Sequence, residues 1–224
     1  MVSLGSLTLR GMLITLEGID GTGKTTVLDS LREQLSRWPD AVFTAEPTGG
    51  EAGQLVRKML SRDQRTAEEK LELLFLFLAD HAHHLDRTVI PALKRGAIVV
   101  SDRYSDSRAA YQGATLEGLI PNSLEWVQSL HRPWSAVPDL TLLLDLDPRL
   151  AVQRCQGRLD AASAGQEAFE RVELLREVRA NFSRLVGQQP HRFHVIDASK
   201  DPELVADEAW ATVKDRLKRD RPGQ

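Results

Sequence analysis

The sequence predicts an α/β fold: a five-stranded, mostly parallel sheet flanked by helices on both faces. Three observations lead there. Short aliphatic or β-branched runs recur at 12–16, 41–44, 97–101, 140–146 and 193–196. Stretches with helical spacing separate them, at 24–37, 50–61, 67–94, 121–131, 148–155, 166–187 and 201–218. The chain has 224 residues, 42% of them hydrophobic and 27% charged, which suits one domain with a buried core. Strands that alternate with helices pair in parallel, because a parallel crossover needs a helix-sized connection.

The first run, "MLITL" (12–16), carries apolar residues at consecutive positions, as a strand covered on both faces requires. It leads into "EGIDGTGKTT" (17–26), where Gly18, Gly23, Lys24 and Thr25 satisfy G-x-x-x-x-G-K-[ST]. A glycine-rich turn lets successive backbone N–H groups converge on phosphate oxygens, and the helix that follows presents the positive end of its dipole. Gly18, Ile19, Asp20, Gly21, Thr22, Gly23, Lys24, Thr25 and Thr26 are therefore assigned to a nucleotide-phosphate loop. Lys24 can reach the β- and γ-phosphates of a bound nucleotide, and the Thr25 hydroxyl can ligate Mg²⁺. This predicts a P-loop fold.

After the second run comes "AEPTGGEAG", in which Glu46-Pro47 stops the strand and Gly49-Gly50 allows a turn. Arg57, in the helix beyond, faces either the cleft or solvent. The long helical stretch 67–94 carries Phe75, Phe77, Asp80, His81, His83 and His84. The two phenylalanines read as core. The i, i+2, i+3 spacing of the histidines scatters them around a helix and argues against a metal centre. The third run delivers Asp102 and Arg103 to its carboxyl end, where such sheets bind ligands. A guanidinium there grips phosphate bidentately, and a carboxylate holds Mg²⁺ or takes an acceptor proton. The residues beyond, "YSDSRAAYQG", fall outside the stretches with helical spacing.

The fourth run, "LTLLLDL", is followed by Asp147 and then Pro148-Arg149, without the glycine and glutamine that would position a hydrolytic water. No N-K-x-D guanine-reading motif occurs. Both features favour a phosphotransferase over a GTPase. "GRLDAASAGQE" (157–167), rich in Gly, Ala and Ser between charged helices, predicts a mobile flap. A lid over about 154–169 would carry Arg154 and Arg158, with Arg171 beyond it. The ends, 1–10 and 219–224, read as flexible and leave 11–218 as one domain.

Net charge of −3 and a pI near 6.1 disfavour a nucleic-acid surface. One cysteine, Cys155, makes no internal disulfide and suits an intracellular, cytoplasmic setting. No signal peptide or membrane span is predicted.

The stretches "LEGIDGTGKTT", "EPTGGEAGQLVR", "LFLADHAHHLDRTVIPAL", "IVVSDRYSDSRAAYQGA", "PDLTLLLDLDP" and "VIDAS" together resemble the thymidylate kinase family of P-loop kinases, over about residues 12–198. The resemblance implies transfer of the γ-phosphoryl of ATP to dTMP with Mg²⁺, in a homodimer that binds neither nucleic acid nor membrane. It implies that Asp20 lies near the sugar 3′-hydroxyl or the metal, and that Phe77 stacks on thymine. It implies that Arg103 grips the acceptor phosphate with Asp102 at the transfer point, that Tyr111 packs on the sugar, and that Gln112 adjoins the base. Gly21 stands where some members have a loop arginine, so Arg154 and Arg158 would supply that charge. The chain departs from the family pattern where Ala45 replaces arginine before Glu46-Pro47, and where Asp160 precedes Ala161 rather than arginine. In the base-reading positions His81 replaces arginine and Arg108 replaces a small polar residue. Glu46, Arg57, His81 and Arg108 join the implied substrate site. The residues leave open a kinase for another pyrimidine monophosphate or a deoxynucleoside, and a nucleotide-binding regulatory protein without transfer activity.

Overall fold

The structure, a computed structural model, describes residues 11–62, 65–156 and 166–220. Five strands form one sheet: β1 (Met12–Glu17), β2 (Val42–Ala45), β3 (Ile98–Asp102), β4 (Leu140–Asp145) and β5 (Phe193–Asp197). Their order is β2-β3-β1-β4-β5, and every pairing is parallel. All six residues of β1 are buried, and β3 and β4 are buried along nearly their whole length. That burial is why these strands read as unbroken apolar runs rather than as alternating ones.

The helices are α1 (Lys24–Gln34), α2 (Glu51–Leu60), α3 (Ala67–His84), α4 (Ile90–Lys94), α5 (Ser105–Thr115), α6 (Ser123–His131), α7 (Pro148–Gln156), α8 (Gln166–Gln188) and α9 (Pro202–Asp220). α1 packs on α9, while α5 packs on α6 and α8. The largest core cluster joins Ile14 and Leu16 of β1 to Leu142 of β4, Leu31 of α1, Phe182 of α8 and Val213 of α9. A second holds Leu13 and Val99 against Leu85, Val89 and Leu93.

Two elements differ from the sequence expectation. The single helix expected over 67–94 widens into a π-helical turn at Leu85–Val89 between α3 and α4. Pro91 lacks the N–H that Arg87's carbonyl would receive, and its ring crowds that carbonyl, so the ladder opens before it. The segment after β3, outside the expected helical stretches, is the helix α5, eight of whose eleven residues are buried. The capping box of α3 is complete: Thr66 accepts from the Glu69 N–H, and the Glu69 side chain accepts from the Thr66 N–H.

The predicted terminal segment 1–10, residues 221–224 of the predicted tail 219–224, and the flap core 157–165, Arg158 included, lie outside the described residues. α9 extends through Asp220.

Candidate active site

With all strands parallel, Glu17, Ala45, Asp102, Asp145 and Asp197 end on one edge of the sheet. Four of those five are acidic, so cations are needed along this rim. The loop from Gly18 to Gly23 turns tightly there. A Cβ on Gly18 would stand 2.5 Å from the Leu144 carbonyl oxygen, and one on Gly21 2.5 Å from that of Ala151. Both glycines also have positive φ, 138° and 85°. Gly23 precedes α1 with φ 90° and takes no side-chain cap. Space around it is open, so the first-turn N–H groups of α1 are presented for an anion.

Lys24 is buried and donates from Nζ to the Gly18 carbonyl at 3.1 Å and the Ile19 carbonyl at 2.9 Å. Burial, and then Arg103, push its ammonium down to about 8, against the opposing pull of Asp20, Asp102 and Glu17. Thr22 closes the turn through Oγ1 to the Ile19 carbonyl at 2.9 Å. Thr25 and Thr26 are exposed at the start of α1. The Asp102 Oδ1 atom is buried with no hydrogen-bond partner among the described residues. The oxygen set of Asp102, Asp20 and Thr25, with an orphaned carboxylate oxygen among them, fits a hard divalent cation such as Mg²⁺.

Arg103 follows β3 with φ 64°, a conformation that aims its side chain back across the rim. Nη2 donates to Asp20 Oδ1 at 2.6 Å, and Nη1 to the Gly18 carbonyl at 3.2 Å and Ser107 Oγ at 3.0 Å. Its guanidinium lies 5.1 Å from the centre of the Tyr111 ring. Asp20, half exposed, also meets Arg171 at 3.9 Å. Beside this pair opens a cavity of about 170 Å³, and Asp20, Arg103, Phe77, Arg108, Tyr111 and Gln112 all line it. Phe77 is half-buried on its wall, while Phe75 is 55% exposed, so neither is the core residue expected of it.

Glu46 closes the far end of this cavity, and a hydrogen-bonded hub stands behind it. His81 Nδ1 lies 2.6 Å and His84 Nδ1 2.7 Å from Glu46 Oε1, and Arg108 Nη1 donates to Oε2 at 3.2 Å. The outer nitrogens are also engaged, His81 Nε2 with Ser135 and His84 Nε2 with Thr44. Burial alone would raise the Glu46 carboxyl, but His81, His84 and Arg108 hold it below the usual carboxylate range. Burial, and then Arg108, bring His81 down to about 4, so its ring serves as a neutral N–H donor. His81 and His84, one turn apart, share a face after all. His83 lies apart, lining a separate cavity with Arg57. The three groups at Glu46 lie close enough to hold a metal, yet the Arg108 cation already sits on the carboxylate. His81 is fully buried and does not line the cavity beside Arg103, so it does not reach into it as the expected base contact would require. Arg57 donates to the Pro47 and Thr48 carbonyls and fastens the turn rather than entering the cavity.

A second cavity, about 250 Å³, opens on the other side of the phosphate loop between Gly21, Thr26, Arg154, Lys200 and Pro202. Arg154 donates there to the Ala198 carbonyl at 2.9 Å. Lys200 and Pro202 were not among the expected site residues. Their signal was position, immediately beyond β5.

Glu17 was missed as well. It is fully buried, accepts from Ser107 and leaves Oε1 without a partner among the described residues. Burial, and then the Asp106 charge, push its carboxyl up to about 8. A carboxylate as the last residue of a buried strand was the available clue.

The two cavities flank one phosphate loop, and comparison with known proteins gives that arrangement a family. The thymidylate kinase family model matches residues 16–209. A probable thymidylate kinase of Methanosarcina barkeri is 47% identical over 213 residues, covering 94% of this chain and 100% of its own. One from Halobacterium salinarum is 48% identical over 209 residues, covering 93% and 98%. The crystal structure of thymidylate kinase from Ehrlichia chaffeensis superposes with a TM-score of 0.67 at 30% identity, over 91% of this chain and 98% of that one. With sequence and fold in agreement over nearly its whole length, the chain belongs to the thymidylate kinase family.

Proposed function

We propose that this protein transfers the γ-phosphoryl group of ATP to dTMP, giving ADP and dTDP. One observation carries the reading: a donor cavity and an acceptor cavity meet on either side of a loop where Lys24, Asp102 and Arg103 converge. The α1 N-terminus and Lys24 hold the triphosphate tail. Its base lies in the cavity walled by Arg154, Lys200 and Pro202. Arg103 exchanges Asp20 for the acceptor phosphate and fixes it in line with the γ-phosphorus. Phe77 faces the pyrimidine, and Tyr111 the sugar.

Asp102, Thr25 and Asp20 would hold Mg²⁺, which when bound neutralises charge between the β- and γ-phosphates. Asp102 lies where the acceptor phosphate would shed a proton. Arg154, on the wall of the donor cavity, and Arg171, 3.9 Å from Asp20, add positive charge near the transfer point. No side chain needs to form a bond to phosphorus; positioning and charge carry the step.

The same reading extends to a homodimer in the cytoplasm. Leu55, Leu60 and Phe75 on α2 and α3 are 45–55% exposed, an apolar face suited to a second copy. The unpaired Cys155 suits a reducing compartment.

The test is ADP formation with ATP and Mg²⁺ across dTMP, dUMP, dCMP, dGMP and thymidine. Turnover greatest with dTMP is the expected result. Turnover of thymidine instead, or ATP binding with no turnover of any acceptor, would overturn the assignment.

A further inference from the structure

The acceptor cavity runs along the rim in sheet order, from Asp20 after β1, past Arg103 after β3, to Glu46 after β2. Phosphate at the Arg103 end places the base toward Glu46, and the base edge farthest from the sugar toward Arg108. Arg108 is 3% exposed and spends only Nη1 on Glu46. Its Nε and Nη2 find no partner among the described residues. These two N–H groups form one edge of the guanidinium, a fork that projects a pair of parallel donors. One helical turn on, Gln112 is 4% exposed and leaves Oε1 equally unpartnered on the same cavity. Buried donors and acceptors left open in this way mark ligand positions, because water-free orphans are costly.

Resting on the phosphotransfer reading above, we infer that Arg108 makes this site select a pyrimidine bearing a 4-oxo group over one bearing a 4-amino group. Thymine and uracil present an acceptor at O4 beside a donor at N3–H. That edge matches the Arg108 fork beside the Gln112 amide oxygen. Cytosine presents the reverse, a donor at N4 beside an acceptor at N3. Gln112 can turn its amide over to suit either base. A guanidinium has only donors, so Arg108 sets the preference.

Glu46 is the positioning residue. Its charge holds the Arg108 head, and His81 and His84 hold Glu46 from behind. The charged carboxylate is stabilised by three donors, so it does not need the substrate as a partner. The fork is thereby fixed before a base arrives.

The experiment measures kcat/KM for dTMP, dUMP and dCMP in the wild type, Arg108→Met, Arg108→Gln and Glu46→Gln, with ATP affinity as a control. Arg108→Met is expected to lower the dTMP-to-dCMP ratio about tenfold or more while ATP affinity stays constant. Arg108→Gln, whose amide donates or accepts, should raise dCMP turnover outright. Glu46→Gln should lower the ratio through the KM for dTMP. A second arm needs no variant. The wild type should use the dTMP analogue with hydrogen at C4 about tenfold less well than dTMP. Equal losses for dTMP and dCMP in Arg108→Met, an unmoved ratio, or equal use of dTMP and the C4–H analogue by the wild type would overturn the role of Arg108. A wild type with no dTMP turnover would instead overturn the phosphotransfer reading beneath it.

Discussion

Lys24 binds two carbonyls of its own loop, so it orders the turn, and in the proposed reaction it carries the charge that meets the triphosphate. Lys24→Ala is expected to cut kcat by at least about a hundredfold while the fold persists, as circular dichroism and steady-state kinetics would show. Glu17 gives a different test. Its folded carboxyl titrates near 8 against 4.5 for an unperturbed group, so the folded state binds the extra proton between those values. Stability from this group is full below about pH 4.5 and is lost as pH rises through 8. Urea unfolding at pH 5 and pH 8 should show the wild type losing roughly a few kcal/mol of stability relative to Glu17→Gln over that window, whatever the buried histidines add to both. At this scale the sequence was most legible where backbone geometry fixes the residue type. Gly18, Gly23, Lys24 and Arg103 stand where the motif and the strand end put them. Glu17, His84 and Ser135 were illegible, because their importance lies in whom they meet across 35 or more residues of chain.

The turn after β2 shows an element overriding local propensity. Gly53 lies inside α2, where alanine would ordinarily favour the helix by about 1 kcal/mol. A Cβ there would stand 2.1 Å from the Thr48 carbonyl oxygen and 2.8 Å from Asp80 Oδ1, the atom that accepts from the Thr48 hydroxyl. Gly53→Ala should therefore destabilise the protein by about 1–3 kcal/mol and raise the KM for dTMP more than that for ATP, read by thermal unfolding and initial rates. Strand existence was legible because five buried parallel strands leave five apolar runs. α5 was not. Its residues are mostly small or polar, and it is buried between α6 and α8 by tertiary packing rather than marked by a periodic apolar stripe. The same packing brings Arg108 and Gln112, both expected in the substrate site, onto one cavity wall. The π turn at Leu85–Val89 was signalled only by Pro91.

Across the whole molecule, exposed apolar area gathers on α2 and α3, next to the acceptor cavity that Leu60 also lines. Association through that face would couple one copy's substrate pocket to its neighbour. Phe75→Glu is expected to shift the protein from dimer to monomer in sedimentation velocity at micromolar concentration. A wild type that sediments as a monomer at every concentration would remove this prediction and leave the site chemistry standing.

The common direction of all five strands has a kinetic corollary. Both mouths open on one rim; with the direct in-line hop proposed above as the route between them, neither nucleotide can finish its business before the other has boarded. Double-reciprocal plots with the two substrates varied should cross rather than run parallel. Labelled ADP should not scramble into ATP while the acceptor is withheld. A way-station on the protein itself would betray its presence in both measurements.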